Sequence, residues 1–276
     1  MNNYKNLFET SVKKLKIAGF RNPISDCRKL FNHCAGSDAY KDTDSTLLDK
    51  HTNRIFDFAV RRRLSQEPVS HIIGYKDFWK TRFYVNQSVL DPRPETELIV
   101  EKVVRLSSSK LSVLDLGTGT GCIAISIALE KAYSEVFASD ISLEALRVAK
   151  FNAKELGARV SFIHSDWFTN IKNTFDVIVS NPPYVCANDL ISLPLTVQRF
   201  EPRLALAAGE LGLDCFRKIA SKLNDYLNPG GIGIFEIGFN QMRSIKNLFE
   251  THGFKQIDFF FDLEGKERVV CVKKDA

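Results

Sequence analysis

Val113-Leu114-Asp115-Leu116-Gly117-Thr118-Gly119-Thr120-Gly121 is the stretch on which the fold turns. An apolar segment of strand character runs into three glycines at alternate positions. The apolar run Cys122, Ile123, Ile125, Ile127 and Leu129 follows at once, with helical spacing. The reading is strand, tight turn, helix. Glycines in such a turn let the chain close and let a ligand come close to the backbone. Asp140 stands 19 residues beyond Gly121, at the end of the next strand-like segment. A carboxylate there can accept hydrogen bonds from both hydroxyls of a ribose. Strand, loop, helix and acid together point to a nucleoside-containing ligand held by Gly117, Thr118, Gly119, Thr120, Gly121 and Asp140.

Outward from this stretch the chain alternates strand and helix. Expected strands are Ser112–Leu116, Glu135–Ser139, Val160–His164, Phe175–Ser180, Gly231–Ile237, Gln256–Asp262 and Arg268–Lys273, with helical patterns between the first five. That order implies an α/β fold with a mostly parallel sheet covered on both faces. The last two strands are joined only by Asp262-Leu263-Glu264-Gly265-Lys266-Glu267, too short for a crossover helix, so they form an antiparallel pair. Seven strands ending in an antiparallel hairpin match a Rossmann-like, class I methyltransferase sheet.

The glycine spacing separates two cofactors. A dinucleotide fingerprint reads G-x-G-x-x-G and seats a pyrophosphate on a helix amino terminus. Here the spacing is G-x-G-x-G with Asp115 two residues ahead, and an acid there repels a pyrophosphate but suits the ammonium group of a methionine moiety. The expected cofactor is S-adenosyl-L-methionine, with S-adenosyl-L-homocysteine as product. Asp166 and Trp167 close the third strand. Asp166 can accept from an adenine amino group, and Trp167 can lie against the ring, at the carboxyl end of a strand where open α/β sheets bind ligands.

Asn181-Pro182-Pro183-Tyr184 follows the fourth strand. Two prolines supply no N–H and stiffen the loop, leaving carbonyls as acceptors. The Asn181 side-chain oxygen and the Pro182 carbonyl can hold the two hydrogens of an NH₂ group. Tyr184 supplies a flat face for a planar amide or base. Such a site works mainly by positioning, because a sulfonium methyl is already activated. The loop marks transfer to an amino group on a planar system: adenine N6, guanine N2 or glutamine N5.

The amino-terminal third reads differently. Leu7, Phe8, Val12 and Leu15 recur at helical spacing up to Gly19. Ser25 can cap a second helix facing inward through Cys27, Leu30, Phe31 and Cys34, ended by Gly36. Ser37–Ser45 is a polar connector. A third helix is expected from about Leu48 to Leu64, with Ile55, Phe58 and Ala59 inward. Arg61-Arg62-Arg63 near its end complements the helix dipole, either as a solvated terminus or as a contact surface for an acidic partner or RNA. Gly74–Val89 alternates as a short hairpin, and Asp91-Pro92-Arg93-Pro94-Glu95-Thr96 breaks the chain before a helix through Val100. The expected division is a helical domain at 1–74, a hairpin linker at 75–92 and a catalytic domain at 93–276.

Composition sets bounds on this picture. The 276 residues, 44% hydrophobic and 26% charged, exclude a disordered or collagen-like chain. The net charge of +5 is uneven. Residues 1–85 hold 16 Lys and Arg against 9 Asp and Glu, and residues 86–276 hold 22 against 24. An acidic catalytic region argues against a wide phosphate contact. The polar start lacks a secretory signal, and the six cysteines show no zinc spacing, so a cytoplasmic protein with free thiols and no metal is expected.

The chain resembles the PrmC/HemK family, the peptide chain release factor glutamine N5-methyltransferases. The likeness runs from about Gly74 to Val272. It is carried by Asp91–Leu98, Asp115–Gly121, Ser165–Phe168, Asn181–Tyr184, Phe200–Leu206, Gly230–Gly238 with Gln241, and Asp262–Val270. The resemblance implies that Gly117–Gly121, Asp140 and Trp167 bind the cofactor. It implies that Asn181 meets both cofactor and substrate, and that Pro182, Pro183 and Tyr184 hold the target glutamine of a Gly-Gly-Gln motif. It also implies that the helical domain helps hold the release factor, with Arg93, Glu95 and Glu201 shaping the pocket. Asp91 and Phe200 depart from the usual hydrophobic residue and Tyr. The basic first domain then reads as a docking surface for a protein rather than a nucleic-acid groove, in a chain expected to act as a monomer with no membrane contact. Methylation of adenine or guanine in RNA or DNA is the alternative. A non-enzymatic scaffold would not need both loops intact.

Overall fold

The computed structural model describes residues 4–36, 50–108 and 110–276. These divide into two compact units: Met1–Tyr75 with Pro194–Phe200, and Lys76–Leu193 with Glu201–Ala276.

The first unit contains α1 (Tyr4–Ile17), α2 (Pro23–Ala35), α3 (Lys50–Leu64) and α4 (Val69–Ile73). Leu15, Cys27, Leu30, Phe31, Phe56 and Val60 form its core, with Phe31 and Phe56 edge to face at 5.5 Å. Three expectations change here. Helix α2 opens on Pro23 behind Asn22 rather than at a Ser25 cap, because proline's missing N–H and fixed φ suit the first helical turn. The α3 face is rotated: Phe56, Ala59 and Val60 are buried, while Ile55 and Phe58 are 38% and 62% exposed. Both stripes have helical spacing, and packing against α1 and α2 selects one. The three arginines pair within the unit, Arg61 with Asp57, Arg62 with Glu67 and Arg63 with Asp26. Arg63 is 13% exposed and also lies over the Phe20 ring. The run is therefore largely a set of internal ties. Residues 37–45, read as a connector, lie outside the described residues. The helix α8 (Leu195–Phe200) belongs to this unit although it comes late in the chain.

The second unit begins at Lys76, one residue into a hairpin of β1 (Tyr75–Phe78) and β2 (Thr81–Tyr84), followed by α5 (Glu97–Val104). The hairpin is built into this unit: Phe78 and Phe83 are buried in the core shared by Ile99 and Val103. Its turn places Trp79 at φ 55°, a conformation that costs a non-glycine residue energy. Two acids hold it there, Glu97 accepting from the Trp79 backbone N–H and Glu130 from the indole N–H, both at 2.7 Å.

The sheet strands follow: β3 (Ser112–Leu116), β4 (Glu135–Asp140), β5 (Ser161–His164), β6 (Phe175–Ser180), β7 (Leu227–Glu236), β8 (Gln256–Phe261) and β9 (Glu267–Lys273). Their order is β5-β4-β3-β6-β7-β9-β8. β3 to β7 pair in parallel, while β9 runs antiparallel to both β7 and β8. Every strand expected from the pattern is present within a few residues at each end. Alternate side chains enter two cores, since strand side chains point to opposite faces in turn. Val113, Val177, Val179 and Ile234 pack on one side with α5 and α6 (Cys122–Glu130). Leu114, Leu116, Ile178 and Phe235 pack on the other with α9 (Asp214–Tyr226) and α10 (Met242–Thr251). The chain fills the sheet outward from β3 first through β4 and β5 on one side, then through β6 on the other, so the carboxyl ends of β3 and β6 flank the switch point where ligands of such sheets bind. No described helix is long and apolar enough to cross a membrane.

Candidate active site

A cavity of about 420 Å³ lies at those carboxyl ends. That is the size class of small-molecule sites. Of the residues expected to bind cofactor or substrate, Gly117, Thr118, Gly119, Thr120, Asp140, Asp166, Trp167, Asn181 and Pro183 line it. Pro182 is buried behind the lining, and Tyr184 packs on the core of the α9 side.

Gly121 does not line the cavity. It is the amino-terminal cap of α6, at φ 81°. A Cβ there would stand 2.8 Å from Ile125 Cδ1 and 3.2 Å from Cβ of Ala149, a residue of α7 (Leu143–Leu156). This glycine serves close packing, and two loop glycines are left to face the ligand. Asp115 is also turned away from the cavity. Its Oδ2 accepts from the Thr118 hydroxyl at 2.6 Å and the Ala124 N–H at 3.3 Å, clasping the loop to the start of α6. Complete burial pushes its carboxyl up to about 7. The clasp uses only one oxygen of the carboxylate: Asp115 Oδ1 is buried without a hydrogen-bond partner among the described residues.

Asp140 keeps its place in the wall. Its Oδ2 accepts from Gly119 N–H and Oδ1 from Ser142 N–H, at 2.9 and 2.8 Å. Each oxygen retains a lone pair for a further donor. Trp167 follows β5 at φ 49°, held there by Ser165, whose hydroxyl donates to the Trp167 carbonyl and accepts from Asn170 N–H. A bulky residue kept in the left-handed region is over-determined by its surroundings, as at many ligand sites. Carboxylate, flat indole, threonine hydroxyls and exposed loop backbone fit a nucleoside ligand. Asp166 is half exposed and lies 3.9 Å from Lys218.

The Asn181–Tyr184 loop is anchored by three residues that its own four-residue motif does not reveal. The Asn181 Nδ2 donates to Thr96 Oγ1 at 3.1 Å, the Thr96 hydroxyl donates to Glu236 Oε2 at 2.5 Å, and the Tyr184 hydroxyl donates to Glu236 Oε1 at 3.1 Å. Gln241 Nε2 donates to the Tyr184 and Gly212 carbonyls. Arg93 donates to both oxygens of Glu201 at 2.6 Å, where the next cavity-lining segment begins.

Asn152, on α7, carries no signal in the sequence, because a lone polar residue on a helix is ordinarily solvated. It is buried, and it accepts from Tyr84 N–H while donating to the Tyr84 and Thr120 carbonyls at 2.8, 3.0 and 2.9 Å. Its carboxamide joins the hairpin edge to the glycine loop. Asn152→Leu should lower stability by about 3 kcal/mol, since three backbone groups lose a partner. Urea unfolding checks this, and a change below about 1 kcal/mol would deny the clasp any weight.

Fold and site together define a methyltransferase of class I architecture. The methyltransferase small domain family matches residues 89–197. A release factor glutamine methyltransferase of Cereibacter sphaeroides is 38% identical over 96% of both chains. One of Neisseria gonorrhoeae is 42% identical over 79% of this chain and 80% of its own. A crystal structure of a methyltransferase from Pyrococcus furiosus shares the fold at TM-score 0.55 and 18% identity, covering 78% of this chain and 98% of its own. The chain belongs to the release factor glutamine methyltransferase family.

Proposed function

We propose that this enzyme transfers a methyl group from S-adenosyl-L-methionine to the side-chain nitrogen N5 of the glutamine in the Gly-Gly-Gln motif of peptide chain release factors, in the cytoplasm, as part of translation termination. The cofactor, when bound, supplies a methyl group already activated on a sulfonium. Gly117, Thr118, Gly119 and Thr120 would take its loop-facing part, Asp140 its ribose and Trp167 its adenine ring.

The observation that carries the reading is the state of Asn181. It stands in the cavity wall with Nδ2 committed to Thr96, so Oδ1 is the end of the carboxamide offered to a ligand. An acceptor there, with the Pro182 carbonyl, would hold the two hydrogens of a glutamine NH₂ and aim its lone pair. The same acceptors would stabilise positive charge growing on that nitrogen during transfer. Pro183 and the Tyr184 ring would flank the planar amide. The Tyr184 hydroxyl is held by Glu236, and burial and that carboxylate push its pKa upward, so it stays a neutral phenol. The helical unit would help hold the release factor.

The test uses labelled S-adenosyl-L-methionine with a purified release factor, its Gly-Gly-Gln Gln→Ala variant, RNA and DNA in separate reactions. Label in the wild-type factor and none in the variant is expected. Label in nucleic acid alone would sink the reading.

A further inference from the structure

The buried carboxylate of Glu236 lies at the end of β7, next to the catalytic loop but outside it. It is 1% exposed, as Thr96 is 2% exposed, and the two side chains come from segments 140 residues apart. A buried acid without a cation in contact demands a reason. Its hydrogen bonds supply one. Both oxygens accept, one from Thr96 and one from Tyr184. Thr96, having donated its only hydrogen, can meet Asn181 only as an acceptor. That allows the Nδ2 end of the Asn181 carboxamide and rejects the oxygen end.

We propose that Glu236, acting through Thr96, is a positioning residue that fixes the orientation of the Asn181 carboxamide and hence which of its ends is presented to the methyl acceptor. The inference rests on the function proposed above. An ionised carboxylate is an acceptor only, so the direction of each hydrogen bond along the chain is set from Glu236 outward. A protonated Glu236 can donate to Thr96 instead. Thr96 is then free to donate to Asn181 Oδ1, and the carboxamide can turn over, placing two N–H donors where the substrate also brings donors. The same carboxylate grips Tyr184, so both ends of the four-residue loop answer to one buried group.

The arrangement predicts a pH dependence. Burial is the main force raising the Glu236 carboxyl, to about 7, and Glu95 adds repulsion. Hydrogen bonds from Thr96 and Tyr184 and the charge of Arg268 on β9 oppose it. Cys122 on α6 also feels its charge, but burial keeps that thiol up at about 12 and neutral. The oriented state needs the ionised form, so turnover should rise as pH passes through about 7 and level off above it.

The experiment compares the full chain with Thr96→Val, Thr96→Ser and Glu236→Gln, each checked for an unchanged melting profile. Thr96→Val keeps the shape and removes the hydroxyl. It should lower kcat at least tenfold, with KM for the release factor and Kd for S-adenosyl-L-homocysteine within twofold of wild type. Thr96→Ser should recover kcat to within threefold. Glu236→Gln should lose the step in kcat near pH 7. A second readout needs no substrate: the Asn181 side-chain amide resonances, in protein with ¹⁵N-labelled asparagine, should shift across the same pH range in wild type and not in Glu236→Gln. If wild type methylates no release factor, the proposed function fails and the resonances still judge the relay. Thr96→Val retaining kcat within twofold, or Asn181 resonances that titrate alike in wild type and Glu236→Gln, would overturn it.

Discussion

Asn181→Ala should slow methyl transfer by about 10²- to 10³-fold while changing the cofactor dissociation constant by no more than about threefold. The side chain removed is one acceptor in a rigid loop, and in the proposed reaction its Oδ1 would face a group that gains positive charge only as the new bond forms. An interaction of that kind is stronger in the transition state than in the ground state, so its loss falls on kcat. The groups proposed to hold the cofactor, the loop backbone at Gly117–Thr120, the anchored Asp140 and the indole of Trp167, would be unchanged, and no hydrogen bond among the described residues links them to Asn181. The loop itself stays in place, because Tyr184 remains tied to Glu236 and its carbonyl to Gln241. Turnover and calorimetry decide the matter. Equal losses in rate and cofactor affinity would mean that Asn181 serves binding and not positioning.

The second large effect is on stability. Arg93→Met should cost about 3 kcal/mol, because it takes the guanidinium from a Glu201 side chain that is 2% exposed. Losing that bidentate partner disfavours the charged form of an acid so deeply placed. The Arg93 end is one third exposed, which keeps the figure at the lower end of the range for a broken buried pair. The double variant Arg93→Met, Glu201→Leu should recover most of the loss, since two apolar groups need no partner. Denaturant midpoints of the four proteins in this cycle give the coupling directly. Additive losses would show that the pair does not act as a unit. The consequence reaches the site, because Glu201 opens the segment through Pro202, Leu204 and Ala208 that lines the cavity.

Much of the fold was legible because its signals are local. The strands of the sheet are short apolar runs bounded by turns, and the six-residue link before Glu267 leaves room only for an antiparallel pair. The helical unit was harder. Ile55-Phe58-Ala59 and Phe56-Ala59-Val60 are both valid helical stripes, one turned about 100° from the other. Only the partners across the core choose between them. The arginine run carried a strong local charge, yet the acids that pair with Arg62 and Arg63 lie in the turn after α3 and on α2.

The amino-acid sequence by itself determined the order of strands and helices, the place of the glycine loop and the identity of the Asn-Pro-Pro-Tyr loop. These are matters of spacing within a few residues, where backbone sterics and side-chain periodicity act. Only the tertiary structure decided what each site residue faces. It turned Asp115 inward, gave Gly121 to helix packing and set Gly117–Thr120, Asp140, Asp166, Trp167, Asn181 and Pro183 along the cavity. It also joined Asn181 to Thr96 and Glu236 across 140 residues of chain. Hydrogen-bond direction and burial depend on groups brought together by packing, and no local pattern in the chain records them.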